Sequence, residues 1–331
     1  LVGNDWEEGF FIGIAVGSTA EPGSDYNIGD TIKSSNMEAT SQVVWSLDIT
    51  YKNVTVDEDG NIYVSSSYGV HKYNSDGVLV WEKTDVEFAN DVAVDSSGNV
   101  YVAHRKSVAL QTVRKLNSSG TELWYTTSTD DANGIAVDSS GNVYVAYSSA
   151  VRKYNSSGTL IWSNTDVTAI AYSVAVDSSG NVYAAYNASA GKAVRKLNSS
   201  GTELWYRNDS ANGYDIAVDS SDNVYVAYNV TGLYGYPSLR KLNSSGTELW
   251  YKNGMGYVYS VAVDSTGNVY VAYHYFGIRK LDSSGNDIWY FPINYANAVV
   301  PDSLGNAYIA VGDITRGLTK IKADLSYTIT S

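Results

Sequence analysis

Apolar and polar positions alternate along most of this chain with a period of two. Runs such as VYVAY (Val143–Tyr147) and VRKLN (Val194–Asn198) are short and rich in Val and Tyr, and they are bounded by Gly, Asn, Asp and Ser. That period and those boundaries predict half-buried β-strands joined by tight turns. No segment sustains apolar residues at the 3.6-residue spacing of a helix, so the chain reads as all-β.

The strand pattern is also a repeat. Near-identical eleven-residue stretches begin at Val94 (VDSSGNVYVAH), Val137 (VDSSGNVYVAY), Val176 (VDSSGNVYAAY), Val218 (VDSSDNVYVAY) and Val263 (VDSTGNVYVAY), with looser copies VDEDGNIYVSS from Val56 and VPDSLGNAYIAV from Val300. The aspartate opening each D-x-x-G-N turn falls at Asp57, Asp95, Asp138, Asp177, Asp219, Asp264 and Asp302, at intervals of 38 to 45 residues. This is the length of one four-stranded propeller blade. Each unit supplies an apolar run before the turn (a), the V-Y-V-A-Y alternation after it (b), a VRKLN-like strand (c), a second turn N-S-S-G, and a strand T-E-L-W-Y (d).

The tryptophans predict how the ring closes. One stands in strand d of six units, at Trp81, Trp124, Trp162, Trp205, Trp250 and Trp289, whereas the last unit has strands a to c and no tryptophan after them. Trp45, in SQVVWSL, precedes the first unit without strands of its own. Val43 to Leu47 is therefore expected to serve as the outer strand of the last blade, leaving no open edge at the seam. The expected fold is a seven-bladed β-propeller over residues 41–331, preceded by an N-terminal extension, residues 1–40.

Features common to every copy are expected to serve the fold. In D-x-x-G-N the Asp caps its own backbone and the Gly takes positive φ, as a tight hairpin requires. A lysine recurs in strand c (Lys72, Lys115, Lys153, Lys196, Lys241, Lys280, Lys320) and is expected on a blade face with a local partner. Function is sought where copies differ. The a–b and c–d turns share one propeller face and are nearly constant, while the b–c and d–a connections share the other and vary in length and content. In blades five and six that variable face gathers Tyr214, Tyr228, Tyr234, Tyr236, Tyr257, Tyr259, Tyr273, His274, Tyr275 and Phe276. Tyrosine offers a large, stiff contact area with a polar tip, which suits sugars and protein partners. This cluster, Tyr273 apart, is the candidate ligand-binding site.

A second candidate lies at the channel mouth. Four residues before each turn aspartate stand Asn53, Asp91, Gly134, Ser173, Asp215, Ser260 and Ala298. Asn53, Asp91 and Asp215 could present oxygens to a hard cation such as calcium; water satisfies the same groups. No other cofactor is expected.

Composition narrows the partners. The chain has 331 residues, a formal net charge of −13 and no cysteine. Acidity on this scale argues against nucleic acid and anionic membranes as partners, and no apolar run is long enough to span a bilayer. Disulfides and thiolate chemistry are excluded. The three histidines fall in different units, and no G-x-S-x-G, H-E-x-x-H, P-loop or dinucleotide fingerprint occurs, so no catalytic residue is assigned.

The stretch VAVDSTGNVYVAY (Val261–Tyr273) resembles the NHL-type propeller repeat, and G-x-x-x-W in SSGTELW is similar to repeats of pyrroloquinoline-quinone-type propellers. The resemblance runs from about Gln42 to Thr330. Quinone-dependent members have eight blades and a set of cofactor-stacking and calcium-ligating residues that this chain does not match, so the cofactor is not carried over. What the resemblance implies is a scaffold or recognition module, as in secreted and virion-surface proteins. The extension carries Trp6, Phe10, Phe11 and Ile12, costly to leave in water, and is expected to dock on the ring or an assembly partner. The functional expectation is a non-enzymatic recognition module at an extracellular, cell-envelope or virion surface, binding glycan or protein. Its alternatives are a structural assembly subunit anchored by residues 1–40 and a propeller hydrolase or lyase.

Overall fold

The structure, a computed structural model, describes residues 43–47, 50–105, 110–165, 169–187, 191–230, 237–253, 257–312 and 317–322. The extension 1–40 and its expected docking lie outside them. The described residues form seven antiparallel sheets of four strands, and none is helical. Each sheet takes its strands in chain order except the last, where Val43–Leu47 pairs with Leu318–Ile321 as its outer strand. The seven-bladed ring and its closure by the N-terminal strand are as the repeat predicts.

The core lies between blades. Val, Ile and Tyr of each second strand are fully buried, as in Val143–Tyr147 and Val182–Tyr186. They pack against the sheet of the next blade, giving seven separate apolar clusters for seven interfaces. The seam cluster joins Tyr308, Ala310 and Leu318 of the last blade to Val54, Ile62 and Val64 of the first, with Trp45 and Leu47 packed against it. A β-sheet buries its apolar face only against another layer, and each blade finds that layer in its neighbour.

The invariant turns do what their residues predict. Asp95 Oδ1 accepts the backbone N–H groups of Ser97 and Asn99 at 3.0 and 2.9 Å, and its Oδ2 accepts Asn99 Nδ2 and the Tyr101 hydroxyl at 2.9 Å each. The second turn holds the neighbouring blade. Trp162 of blade three donates from Nε1 to the Ser199 carbonyl of blade four at 3.0 Å, and its ring covers Gly201, where a Cβ would fall 2.7 Å from the indole. The same contact joins Trp45 to Ser75 and Gly77 across the seam.

The strand-c lysines have the local partners expected of them, but, Lys320 apart, they are buried. Lys196 is only 7% exposed, sits 4.8 Å from the Tyr183 ring centroid, and donates to the Ser244 carbonyl of the next blade at 3.1 Å. A cation is tolerated there because ring, carbonyl and the Asp177 carboxylate at 3.8 Å replace its water. The lysine is part of the joint between blades.

One copy breaks the turn rule. Asp222 stands where the other D-x-x-G-N turns have glycine and keeps their left-handed backbone, at φ 61°, against 76° for Gly141. An L side chain there carries strain that glycine does not. Asp222→Gly is expected to raise stability by about 1 kcal/mol, whereas Gly201→Ala, forced against the Trp162 ring, lowers it by at least as much. Urea denaturation of both variants checks the pair; equal midpoints would contradict the account of the turns.

Candidate functional site

The start of each inner strand forms two rings of residues at the variable face. The ring four residues before the turn aspartate ties blades together. Asn53 donates from Nδ2 to Asp91 Oδ1, Asp91 Oδ2 accepts the Ile135 N–H of blade three at 2.8 Å, and Val92 N–H completes its shell at 2.8 Å. In blade four the Ser173 hydroxyl donates to Asp215 Oδ1 at 2.7 Å; Asp215 also accepts the N–H groups of Ile216 and, in blade six, Val261, both at 2.9 Å. Gly134 and Ala298 contribute no side-chain hydrogen bond.

The oxygens of Asn53, Asp91 and Asp215 thus accept hydrogen bonds, Asn53 from Val54 N–H of its own blade at 2.6 Å and the two carboxyls from both their own and neighbouring blades. Among the described residues, no three His, Cys, Asp or Glu are grouped as metal ligands. Burial pushes the Asp91 carboxyl up to about 7, opposed by the N–H groups of Ile135 and Val92 and assisted by the charge of Asp215. Asp215 is raised for the same first reason.

The ring one residue further out is split, with Lys52 of blade one donating from Nζ to Asn90 Oδ1 at 3.1 Å and the other six members falling into two groups. In blades two, three and seven the position holds Asn90, Asn133 and Asn297, whose amides donate to the carbonyls of Ala132, Ala171 and Tyr51 in the next blade at 2.8, 2.9 and 3.0 Å. In blades four, five and six it holds Tyr172, Tyr214 and Tyr259. Their ring centroids lie 5.3 and 5.1 Å apart, and the row continues to His274 at 4.7 Å. His274 is flanked edge-on by Tyr275 at 4.5 Å and Tyr295 at 5.3 Å, and Tyr257 meets Tyr275 at 6.0 Å. Burial holds the imidazole of His274 below its usual range, and its Nδ1 has no partner among the described residues.

The expected tyrosine cluster therefore divides. Tyr214, Tyr257, Tyr259, His274 and Tyr275 belong to one aromatic arc, and Phe276, 56% exposed, follows Tyr275 on the b–c connection of blade six. Tyr228 does not belong to the surface. It is 1% exposed and donates to Asp209 at 2.6 Å, because strand b turns that position into the interface between blades. It lines instead a cavity of about 220 Å3 with Asp209, Pro237 and Arg240. Tyr234 and Tyr236 lie outside the described residues.

Sequence reasoning missed two members. Tyr172 stands one place before the inspected ring, in a blade whose b–c connection is poor in tyrosine. Tyr295 sits in the d–a connection that leads from blade six into blade seven, beyond the tyrosine-rich stretch of blades five and six. Tyr295 is 42% exposed and held at φ 60°, an unusual backbone for a bulky residue.

Residues 109–236 match the family described as outer membrane protein assembly factor BamB, and the chain carries the pyrroloquinoline-quinone-like propeller repeats of that type. No curated protein matches the sequence. Among solved structures, the WD40 β-propeller domain of Doa1 is 14% identical with a TM-score of 0.70, covering 86% of this chain and 98% of that one. A stretch of Chaetomium thermophilum Raptor is 8% identical with a TM-score of 0.72, covering 86% of this chain and 29% of Raptor. A protein of unknown function from Bacteroides caccae is 17% identical with a TM-score of 0.54, covering 70% of this chain and 93% of that one. At these identities the likeness is one of fold.

The Asp91 joint is expected to report itself in pH dependence. Its carboxyl holds a proton to about pH 7 in the folded ring but only to about 3.9 unfolded. Between these values folding takes up a proton, and stability falls as pH rises. Asp91→Asn removes that titration. The parent is expected to lose stability more steeply than the variant between pH 4.5 and 7, by up to about 1.4 kcal/mol per pH unit. Thermal melts across that range check it, and parallel curves would contradict a proton bound at Asp91.

Proposed function

We propose that this chain is a non-enzymatic recognition module of an extracellular, cell-envelope or virion surface, binding a glycan or protein partner on the variable face. The observation that carries the reading is the aromatic arc. It occupies, in three consecutive blades, a ring position that in blades two, three and seven is spent on asparagine joints between blades and in blade one holds Lys52, which donates to Asn90. Tyr172, Tyr214 and Tyr259 stand near the start of rigid inner strands and His274, Tyr275 and Tyr295 on the connections beside them, and clustered aromatic rings with polar tips are the usual substance of a contact surface.

The acidic charge supports partners other than nucleic acid or anionic lipid. The match to a family described as an assembly factor favours a second reading, in which the ring is an assembly subunit and residues 1–40 provide its anchor. Both readings make the ring a platform for contact rather than for chemistry.

Truncation of exposed arc residues separates these readings. On panels of immobilised glycans and surface proteins, Tyr275→Ala and Tyr295→Ala are each expected to weaken binding by about 1 to 3 kcal/mol, with melting temperature unchanged. Ser139→Ala and Ser199→Ala on the opposite face are expected to bind as the parent. Loss confined to the serine variants would move the site to the constant face. Loss only on removal of residues 1–40 would favour the assembly subunit.

A further inference from the structure

Resting on the variable face as the contact surface, we propose that the arc Tyr172–Tyr214–Tyr259–His274 is a row of subsites for a neutral, linear oligosaccharide. Three observations carry this. The first is the state of the tyrosine hydroxyls. The strand-b tyrosines six residues after the turn aspartates have their hydroxyls committed: Tyr101, Tyr144 and Tyr225 donate to Asp95, Asp138 and Asp219 at 2.9, 2.9 and 3.0 Å. Those of Tyr172, Tyr214 and Tyr259 have no hydrogen-bond partner among the described residues, although all three rings are half-buried. Their ring faces cover one another, so what they offer a ligand is a row of edges and hydroxyl groups. Such groups pair with sugar hydroxyls, which both donate and accept.

The second observation is the spacing. Successive centroids at 5.3, 5.1 and 4.7 Å make a regular row, with a step close to the length of one hexopyranose unit in an extended chain. The asparagine joints at Asn133 and Asn297 end the row on either side, so its length corresponds to three or four sugar units. At the outer end, Tyr275 and Tyr295 are 54% and 42% exposed and meet at 69°, leaving ring surface free to take the C–H face of a terminal sugar.

The third is charge. No Lys, Arg, Asp or Glu belongs to the arc. The adjacent carboxylate, Asp215, is engaged by Ser173, Ile216 and Val261, and burial keeps His274 uncharged near neutral pH. Nothing there would compensate an anionic sugar, and the net charge of −13 would repel one. A protein interface of ordinary size spreads over roughly 800 Å2 per partner and is anchored by aromatic and Arg side chains in pockets. A narrow, uncharged row of hydroxyls matches a sugar chain better.

Calorimetric titration with neutral hexose oligosaccharides of two to six units, β- and α-linked, tests the proposal beside an anionic oligogalacturonate series. The expected result is binding of a neutral series with affinity that rises to about four units and then levels off. Tyr214→Phe and Tyr259→Phe, which remove only a hydroxyl, should each weaken it about tenfold with melting temperature unchanged. Tyr101→Phe, whose hydroxyl holds a turn, should lower stability and leave affinity alone. Absence of binding across the neutral series, preference for the anionic one, or indifference to both Phe substitutions overturns the proposal. If a protein on the panel binds instead and Tyr275→Ala abolishes that binding, the oligosaccharide falls while the variable face stands.

Discussion

Everything in this ring depends on the joint between one blade and the next. No blade has a core of its own: its second strand is buried only because the neighbouring sheet covers it. Around that apolar layer the repeat places a fixed set of polar clasps. A tryptophan N–H and a buried lysine both reach a serine carbonyl of the next blade, and the indole lies on a glycine that no other residue could replace without collision. Such a joint repeats without end unless the last copy meets the first. Trp45, contributed from the beginning of the chain, makes the same contact with Ser75 and Gly77 and so turns a solenoid into a closed ring.

Because the joint is the same problem solved seven times, it was legible in the sequence. The turn aspartates gave the period, the tryptophans counted the outer strands, and the missing seventh tryptophan pointed to Val43–Leu47. The lysines were harder. Their repetition marked them as structural and locally paired, but their burial depends on a tyrosine in strand b and a carbonyl in another blade, neither of which is adjacent in sequence. The channel-mouth carboxylates were harder still. Asp91 and Asp215 look alike as cation ligands in a list, and only geometry shows that backbone N–H groups of adjoining blades already face them.

The candidate site was legible in part, for the opposite reason. Departure from the repeat picked out Tyr214, Tyr259, His274 and Tyr275, which the structure joins in one arc. Tyr228 is no departure: it is the last tyrosine of the strand-b alternation, equivalent to Tyr147, Tyr186 and Tyr273, and that alternation sets it into the interface. Nor could departure from the repeat find Tyr172 and Tyr295, which stand outside the tyrosine-rich stretches and meet the others only when successive blades pack. Fold and site are therefore related: the blades bring single residues from successive repeats to a common mouth, where one repeat position holds a joint-forming asparagine in three blades and a stacked tyrosine in three others.

The central claim is that contact is made on the variable face and that the constant face is scaffold. The absence of cysteine permits a direct measurement, since one introduced thiol is the only one in the chain. Tyr275→Cys and Ser139→Cys, each coupled to a maleimide-linked polyethylene glycol, place the same bulk on opposite faces at exposed positions. Binding to the immobilised glycan or surface protein retained by the parent is then measured for both conjugates. The account predicts that polymer at position 275 abolishes binding and polymer at position 139 leaves it intact; the reverse result would contradict it.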